Sequence, residues 1–315
     1  LSLSLSLSLS LSLSLSLIER WKQFWLRLVV VLVVLAAYFY HRTIFVGGLA
    51  GINMQEHHNP IAFAKDATTR WLSIFHLHVR YVWLLFNPTH LSVDYSFNCI
   101  PMVESFSDPR NAFSLLLYLS SALFVILSLL SLRHHRHNIL NFAWFLIPFL
   151  PAAQVFFYPG TLLAERVLYI PSVGFCFLLA FALMTLWKQG YITQNTLGLL
   201  VVVMVLLYSA RTVTRNPDWH DQTALFKSAL QVCPDSGKVL YNYGVRLENA
   251  KNVEEAVGYY QRAVTIDPSY DAPNARLGKY WIKKMNFTKA LEYYKRIVDR
   301  RPHIYHEFAY HDAGT

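Results

Sequence analysis

Long apolar runs constrain this chain more than any other feature of its sequence. A helix needs about 20 largely apolar residues to cross the hydrocarbon core of a bilayer. We predict crossings at five runs, which are Phe24–Tyr40, Ala112–Leu132, Ile139–Phe157, Val167–Trp187 and Leu197–Tyr208. Of all residues, 54% are hydrophobic and only 15% are charged, and the apolar residues are concentrated before about Arg211. The sequence therefore predicts a multi-pass membrane domain over residues 18–211 and a more polar part after it.

Basic residues predict which side of the membrane each loop faces. They stand at the start of the first run and in the loop Arg133–Asn138, RHHRHN. The positive-inside rule places both in the cytosol, so the loops at 41–110 and 158–170 face the opposite, luminal side, as does the chain after Arg211. Both ends of 41–110 are luminal only if Trp71–Phe86 does not cross, and we predict a re-entrant or interfacial helix there. The alternative is that Trp71–Phe86 crosses and the first run has the opposite orientation.

A repeat with a period of 34 residues organises the polar part of the chain. The aligned positions are Phe226, Tyr260 and Tyr294; Pro234, Pro268 and Pro302; Gly244 and Gly278; Ala256 and Ala290; and Ala229 and Ala263. Small residues where paired helices touch, with a closing proline, are typical of tetratricopeptide repeats. The pattern predicts a hinge and half repeat over 212–236, two repeats over 237–302 and a tail over 303–315. Because such arrays need about three repeats for stability, we expect the natural array to be longer or the chain to be a fragment.

The cysteines and one sequon bear on the compartment that the polar part occupies. Cys176 lies in an apolar run, and we predict a small core residue there. Cys99 and Cys233 could pair in an oxidising lumen, and the sequence leaves that pairing open. The glycosylation sequon at Asn286 lies in the turn predicted between the helices of the second repeat, where it would be exposed and usable only in a lumen.

Other conspicuous features of the sequence receive no function. Leu1–Leu17 is a Leu–Ser dipeptide repeat, and its period of two suits a strand but specifies no register or partner. We treat it as a low-complexity leader. His57 and His58 lack a nearby third ligand, so no metal site is predicted. Membrane-flanking loops and repeat surfaces account for the net charge of +9, which disfavours nucleic acid as a partner.

The hairpin between the third and fourth apolar runs holds the strongest candidate site residues. Its segment Tyr158–Gly174 carries adjacent charges, Glu165 and Arg166. A charge at the bilayer centre costs roughly 2.5–3.5 kcal/mol on insertion scales, so these side chains are expected to face a polar cavity or the membrane surface. The alternative is a short connecting loop in which the Glu–Arg pair caps the start of a helix.

Five stretches of the chain, together with the repeats, carry a resemblance to a known family. They read NPIAFAKDATTR, WLLFNPTHLSVDYSFNCIPMVES, DPRN, ERVLYIPSVGFC and NPDWHDQTALFKSALQVCPDSGKVLYNYG. In this order, from Phe24 to Pro302, the chain resembles the transmembrane and tetratricopeptide repeat-containing O-mannosyltransferases of the endoplasmic reticulum. The resemblance implies an all-α membrane protein of the GT-C glycosyltransferase type. Such proteins transfer mannose from dolichyl phosphate mannose to Ser or Thr of luminal proteins, cadherins among them, without a bound cofactor.

The resemblance also implies roles for particular residues. We expect Arg166 to bind the donor phosphate, Glu165 to orient it or a hydroxyl, and Tyr169 to support the lipid or sugar. Arg70 and Arg80 are weaker candidates for cations on the same side. The alternative for each is helix capping or snorkelling to the membrane interface.

The catalytic carboxylates of GT-C enzymes lie in the first luminal loop, after the first membrane helix, and in this chain the Leu–Ser run stands where the upstream helices of a member would be. The resemblance therefore implies the C-terminal part of a member, inactive alone, with catalytic residues unknown. A non-catalytic membrane-anchored luminal scaffold that binds partner proteins is the competing hypothesis.

Overall fold

The computed structural model describes residues 2–45, 56–130 and 132–299, and all regular secondary structure in these ranges is helical. The α-helices are α1 Ser2–Phe45, α2 Pro60–Phe63, α3 Ala67–Phe86, α4 Arg110–Leu130, α5 Leu132–Phe149, α6 Pro171–Lys188, α7 Gln194–Arg215, α8 Gln222–Val232, α9 Gly237–Asn249, α10 Val253–Ile266, α11 Asp271–Lys283 and α12 Phe287–Val298. Short 3-10 turns cover Leu150–Ala152, Glu165–Leu168 and Asn216–Trp219. The predicted all-α class is confirmed. The chain divides into two compact units, residues 1–54 and 55–315.

The first unit is the single helix α1, which includes the described part of the Leu–Ser repeat. A strand is therefore the wrong expectation for this segment. A lone strand leaves its backbone groups without partners, whereas a helix satisfies them within the segment, and Leu has a high helix propensity. Within α1, Trp21–His41 is long and apolar enough to cross a membrane, with a mean hydropathy of 1.9.

Three further helices of the described chain could also cross a membrane by length and composition. They are Arg110–Leu130, Pro171–Lys188 and the stretch Gln194–Trp219 that contains α7. The predicted crossing at Ile139–Phe157 has the wrong bounds. α5 starts at Leu132 and takes in the basic stretch RHHRHN, which was expected to form a loop. α5 ends at Phe149 because the prolines at 148 and 151 lack the backbone N–H that a continuing helix needs. The basic residues at its start lower the mean hydropathy of α5.

Helix α3 is not among the four apolar helices of the described residues. It begins after Asp66, whose carboxylate accepts a hydrogen bond from the Thr69 amide at 2.9 Å, and it ends before the Asn87-Pro88 pair. One face is buried, with Leu72, Ile74, Leu77, Tyr81 and Leu84 at 8% exposure or less. α3 packs against α4 and against the 3-10 turn that carries Glu165.

The polar part consists of stacked helical hairpins, as the 34-residue period predicts. α9 pairs with α10 and α11 pairs with α12. A Cβ atom added at Gly244 would lie 2.7 Å from Cε1 of Tyr260, and one added at Gly278 would lie 2.6 Å from Cε2 of Tyr294. Each glycine therefore leaves room for the tyrosine ring on the facing helix of the same repeat, which is the small-to-large contact of a tetratricopeptide repeat.

Candidate donor site

The hairpin that carries Glu165 and Arg166 is fixed by a buried network of amide side chains. Nδ2 of Asn59 donates to Oε1 of Gln154 at 3.1 Å and to the Pro159 carbonyl at 2.8 Å. Nε2 of Gln154 donates to the Leu162 carbonyl at 2.8 Å. Asn59 and Gln154 are almost fully buried, and Gln154 has a positive φ of 57°. Isolated amides at positions 59 and 154 gave no signal in the sequence, so this network was not predicted.

Glu165 is bound to a distant loop rather than to its neighbour Arg166. Its Oε1 accepts hydrogen bonds from the Tyr95 hydroxyl at 2.6 Å and from the Ser92 amide at 2.8 Å. Burial and the Glu165 carboxylate raise the pKa of the Tyr95 hydroxyl, and the nearby charge of Arg80 opposes this rise, so Tyr95 remains a donor at neutral pH. These bonds tie the hairpin to the 88–103 loop, which a helix cap would not do.

Arg166 faces a cavity beside the hairpin. Its side chain is exposed and has no hydrogen bond or ion pair with any described residue. The cavity has a volume of about 710 Å³, and Glu165, Arg166 and Tyr169 all line it. Tyr169 is 83% exposed. Among the described residues that line this cavity, Arg166 is the only cation, and its guanidinium is therefore free to bind an anion.

The rest of the cavity wall is mostly apolar. Leu84, Leu85, Leu91 and Leu168 contribute to it, together with Trp219. A cation at the rim of an apolar wall matches a phosphate attached to a hydrocarbon chain, because the two chemistries are satisfied by adjacent surfaces.

Trp219 was not predicted as a site residue. It lies in the 3-10 turn Asn216–Trp219, directly after α7, and its side chain is 58% exposed. The guanidinium carbon of Arg215 lies 5.7 Å from the centroid of the indole ring, and Arg215 also donates to Asp218 at 2.8 Å and to Ser228 at 3.1 Å. A tryptophan that follows an apolar helix is the signal that could have found it, because tryptophan favours the membrane interface.

Arg70 and Arg80 are not among the residues that line this cavity. Nη2 of Arg70 donates to the Ala64 carbonyl at 2.5 Å, so this arginine binds the turn just before α3. Arg80 is half-buried on α3, and its charge opposes the rise that burial and Glu165 cause in the pKa of the Tyr95 hydroxyl. A donor role for either arginine stays a prediction, and the described geometry favours Arg166 over both.

Close contacts join the same loop to the repeats. Nζ of Lys238 lies 2.6 Å from Oδ2 of Asp94. Cys99 and Cys233 form a disulfide with their Cα atoms 5.0 Å apart, so the pairing that the sequence left open is present. Cys176 is exposed and free, which does not fit the predicted small core residue; its neighbours in α6 are apolar and face outward like those of a membrane helix.

His57 and Asp267 form a second contact between a loop and the repeats. Nδ1 of His57 lies 3.2 Å from Oδ2 of Asp267, and its ring lies 4.3 Å from that of Phe97, centroid to centroid. Burial by itself raises the pKa of the Asp267 carboxyl, but hydrogen bonds from His57 and Ser269 outweigh burial and lower the pKa overall.

Asn286 lies between α11 and α12, as the sequence predicted. It is the N-cap of α12, and its Oδ1 accepts a hydrogen bond from the Lys289 amide at 3.1 Å. Its Nδ2, the atom to which a glycan would be attached, has no partner among the described residues. Glycosylation itself stays a prediction.

Two family models and several curated proteins match the chain. The model described as "Protein O-mannosyl-transferase TMTC, DUF1736" matches residues 51–122, and the tetratricopeptide repeat model matches residues 237–270. Protein O-mannosyl-transferase TMTC1 of Mus musculus is 32% identical over 261 residues, which is 80% of this chain and 27% of that protein. Protein O-mannosyl-transferase Tmtc3 of Drosophila melanogaster is 31% identical, over 80% of this chain and 28% of that protein. Protein O-mannosyl-transferase TMTC4 of Homo sapiens is 36% identical, over 64% of this chain and 27% of that protein.

These matches confirm the resemblance drawn from the sequence. The fold is that of a helical membrane protein with appended tetratricopeptide repeats. The chain belongs to the family of transmembrane and tetratricopeptide repeat-containing proteins whose members are named protein O-mannosyltransferases. It spans only 27–28% of the length of these three relatives.

Proposed function

We propose that this chain forms the donor-phosphate site and the start of the acceptor-binding repeats of a protein O-mannosyltransferase. The donor is dolichyl phosphate mannose, and the acceptors are Ser and Thr hydroxyls of luminal proteins, including cadherin domains. The observation that carries the proposal is the guanidinium of Arg166, which has no partner among the described residues and lies at a largely apolar cavity of about 710 Å³. The cavity suits both parts of the donor, its anionic phosphate and its hydrocarbon tail.

The chemistry explains why a cation is needed at this place. The acceptor oxygen forms a bond to C1 of mannose while the bond from C1 to the phosphate oxygen breaks, and the hydroxyl proton passes to a base. The dolichyl phosphate that leaves gains negative charge, which a nearby guanidinium stabilises more in the transition state than in the ground state. Glu165 accepts two hydrogen bonds from the 88–103 loop, so it fits a positioning role better than the role of base.

Two features support placing the site and the repeats in the lumen of the endoplasmic reticulum. The Cys99–Cys233 disulfide needs an oxidising compartment to persist. The Asn286 sequon is accessible at a turn, and it would be used only in that compartment. The hairpin, the loop and the repeats contact one another and must therefore face the same compartment.

Substitution of Arg166 tests the donor role. In the full-length protein that contains this chain, we expect Arg166→Ala to lower mannose transfer to a cadherin domain by about 10²–10³-fold, as for loss of one charge-stabilising group. Arg166→Lys should retain part of the rate because it keeps the charge but loses the forked geometry. Lys188→Ala, which removes an exposed charge at the end of α6, away from the cavity and the repeats, is the matched control and should leave transfer unchanged. Normal transfer by Arg166→Ala at an unchanged protein level would refute the donor site.

The competing function is a membrane-anchored scaffold that presents the repeats to partner proteins without catalysis. The observation that favours it is that Glu165, the acidic residue among those lining the cavity, is engaged in two hydrogen bonds. If the full-length protein with Arg166 intact binds its cadherin acceptor but transfers no mannose to it, the scaffold function is the better account.

A further inference from the structure

The segment Ser92–Cys99, named the bridge here, contacts the donor hairpin on one side and the first repeat on the other. On the hairpin side, Ser92 and Tyr95 both donate to Oε1 of Glu165. On the repeat side, the Asp94 carboxylate pairs with Lys238 near the start of α9. Hairpin contacts and repeat contacts therefore alternate within four consecutive residues.

The contacts with the repeat continue to the end of the bridge. The Ser236 hydroxyl donates to the Ser96 carbonyl at 2.9 Å, and the Gly237 amide donates to the Phe97 carbonyl at 3.3 Å. The disulfide from Cys99 to Cys233 closes the series. Ser236 and the Cys233 side chain are at most 1% exposed, so these contacts are shielded from water.

This arrangement leaves little freedom between the donor site and the repeats. Tyr95, which binds the hairpin, is the direct neighbour of Asp94 and Ser96, which bind the repeat. Neighbouring Cα atoms are about 3.8 Å apart across a trans peptide, so the two sites are joined through single peptide units. Without the bridge, the repeats would be held by the connection from α7 through the 3-10 turn Asn216–Trp219 to α8 and by the contact of His57 with Asp267.

We propose that the bridge holds the repeat array at a fixed distance and orientation from the donor cavity. The enzyme then selects acceptor hydroxyls by their spacing from the polypeptide segment that the repeats hold. This specificity rests on the proposed mannosyltransferase function. A rigid connection raises the effective concentration of one acceptor hydroxyl at the donor, whereas a flexible connection would let many hydroxyls reach the donor, each at a lower effective concentration.

The test compares a bridge variant with a matched control. The bridge variant combines Cys99→Ser, Cys233→Ser and Lys238→Ala. The control Lys284→Ala also removes one lysine–carboxylate pair, that of Lys284 with Glu254 at 3.0 Å, but this pair lies between the two repeats. Asp94→Asn is a milder second variant, because it keeps the disulfide and removes only the charge that Lys238 binds.

A distance measurement tests the bridge without any activity. One spin label is attached at Ile170→Cys on the hairpin side and the other at Met285→Cys in the second repeat, and both positions are exposed. The labelled protein carries Cys176→Ser, which removes the free cysteine, and is reconstituted into bilayers. We expect one narrow distance in the otherwise unmodified chain and in the Lys284→Ala control. The bridge variant should lose that narrow distance, and Asp94→Asn should broaden it. A narrow, unchanged distance in both bridge-directed variants would overturn the proposal.

Mapping of mannosylated positions tests the selection itself. In the full-length protein, mass spectrometry of a cadherin domain gives the share of mannose at each Ser and Thr. In the bridge variant we expect the ratio of the main position to its neighbours to fall by about 10-fold or more, because orientation is no longer fixed. An unchanged ratio overturns the selection. If the unmodified protein transfers no mannose at all, the mannosyltransferase function fails, while the label distances still decide whether the bridge fixes the repeats.

Discussion

The tightest contact in the repeats gives a prediction whose size follows from the coordinates. In Gly244→Ala, the new Cβ would lie 2.7 Å from Cε1 and 3.0 Å from Cδ1 of Tyr260, and 3.3 Å from the Ala256 carbonyl oxygen. The Tyr260 ring cannot move aside easily, because it is 2% exposed and its hydroxyl donates to Glu248 at 2.7 Å. Overpacking of this kind costs about 1–3 kcal/mol. Alanine regains about 1 kcal/mol of helix propensity.

The net expectation is a loss of stability of up to about 2 kcal/mol in the first repeat, which is a factor of up to roughly 30 in the opening equilibrium. Gly258→Ala is the matched control on the partner helix α10. A Cβ at Gly258 has no atom within 4 Å, so this substitution gains helix propensity without a clash and should stabilise the repeat by about 1 kcal/mol.

Hydrogen exchange measured by mass spectrometry on the reconstituted chain reports both changes. Protected amides of α9 and α10 should exchange up to about 30 times faster in Gly244→Ala and more slowly in Gly258→Ala. If both substitutions slow exchange, the glycine at 244 is not required by packing, and the assignment of the small-to-large contact at this position is wrong.

Three further predictions concern the loop, the repeats and the compartment. Tyr95→Phe removes the hydroxyl that donates to Glu165, and hydrogen exchange in the 165–168 turn should rise by the equivalent of about 1–2 kcal/mol. The pKa of the Asp267 carboxyl is lowered from 3.8 in the folded chain, so the ionised carboxylate stabilises the fold fully above pH 3.8. This stabilisation is lost as the pH falls through the folded pKa. The urea midpoint should therefore drop more steeply below pH about 4 in the unmodified chain than in Asp267→Asn. Thr288→Ala destroys the sequon but keeps the Asn286 cap, so it should abolish a glycosidase-sensitive gel shift; absence of that shift in the unmodified protein would contradict a glycosylated luminal site.

The repeats could be predicted from the sequence because their chemistry is periodic. Gly244 and Gly278 stand in the same register, and each predicts a bulky partner on the facing helix. The apolar runs were found for a similar reason, since composition alone carries their signal. Their exact limits were not found where proline or basic residues decide them, as in α5.

The contacts that build the site could not be predicted in this way. Glu165 binds Ser92 across 73 residues, and Asp94 binds Lys238 across 144 residues. A single sequence with many charged and hydroxyl side chains gives no reason to choose these partners over others. The same limit left the Cys99–Cys233 pair open, because three cysteines allow several pairings. Only the packing of the loop on the repeats selects one of them.

The described contacts support a membrane crossing by α5 that its composition does not show. The start of α4 lies beside the 101–108 loop, because the Arg110 guanidinium donates to the carbonyls of Pro101 and Met102 at 2.8 and 2.9 Å. After α5, the chain reaches Glu165, which is bound to the loop that precedes α4. A chain that leaves this side on α4 must therefore return on α5. The glycine at 174 in α6 meets the α5 backbone so closely that a side chain would clash, as small residues do between packed membrane helices.

We therefore predict that the basic start of α5 is the cytosolic end of a returning helix, where positive charge is favoured. A cysteine at the exposed His137 tests this placement in sealed microsomes. His137→Cys, in a Cys176→Ser background, should react with a membrane-impermeant maleimide added from the cytosolic side. Phe157→Cys, also exposed and in the segment between α5 and α6, should react only once the membrane is opened. Equal labelling of the two cysteines from outside would mean that α5 does not cross, and the hairpin of Glu165 and Arg166 could then not lie in the lumen with the loop it binds.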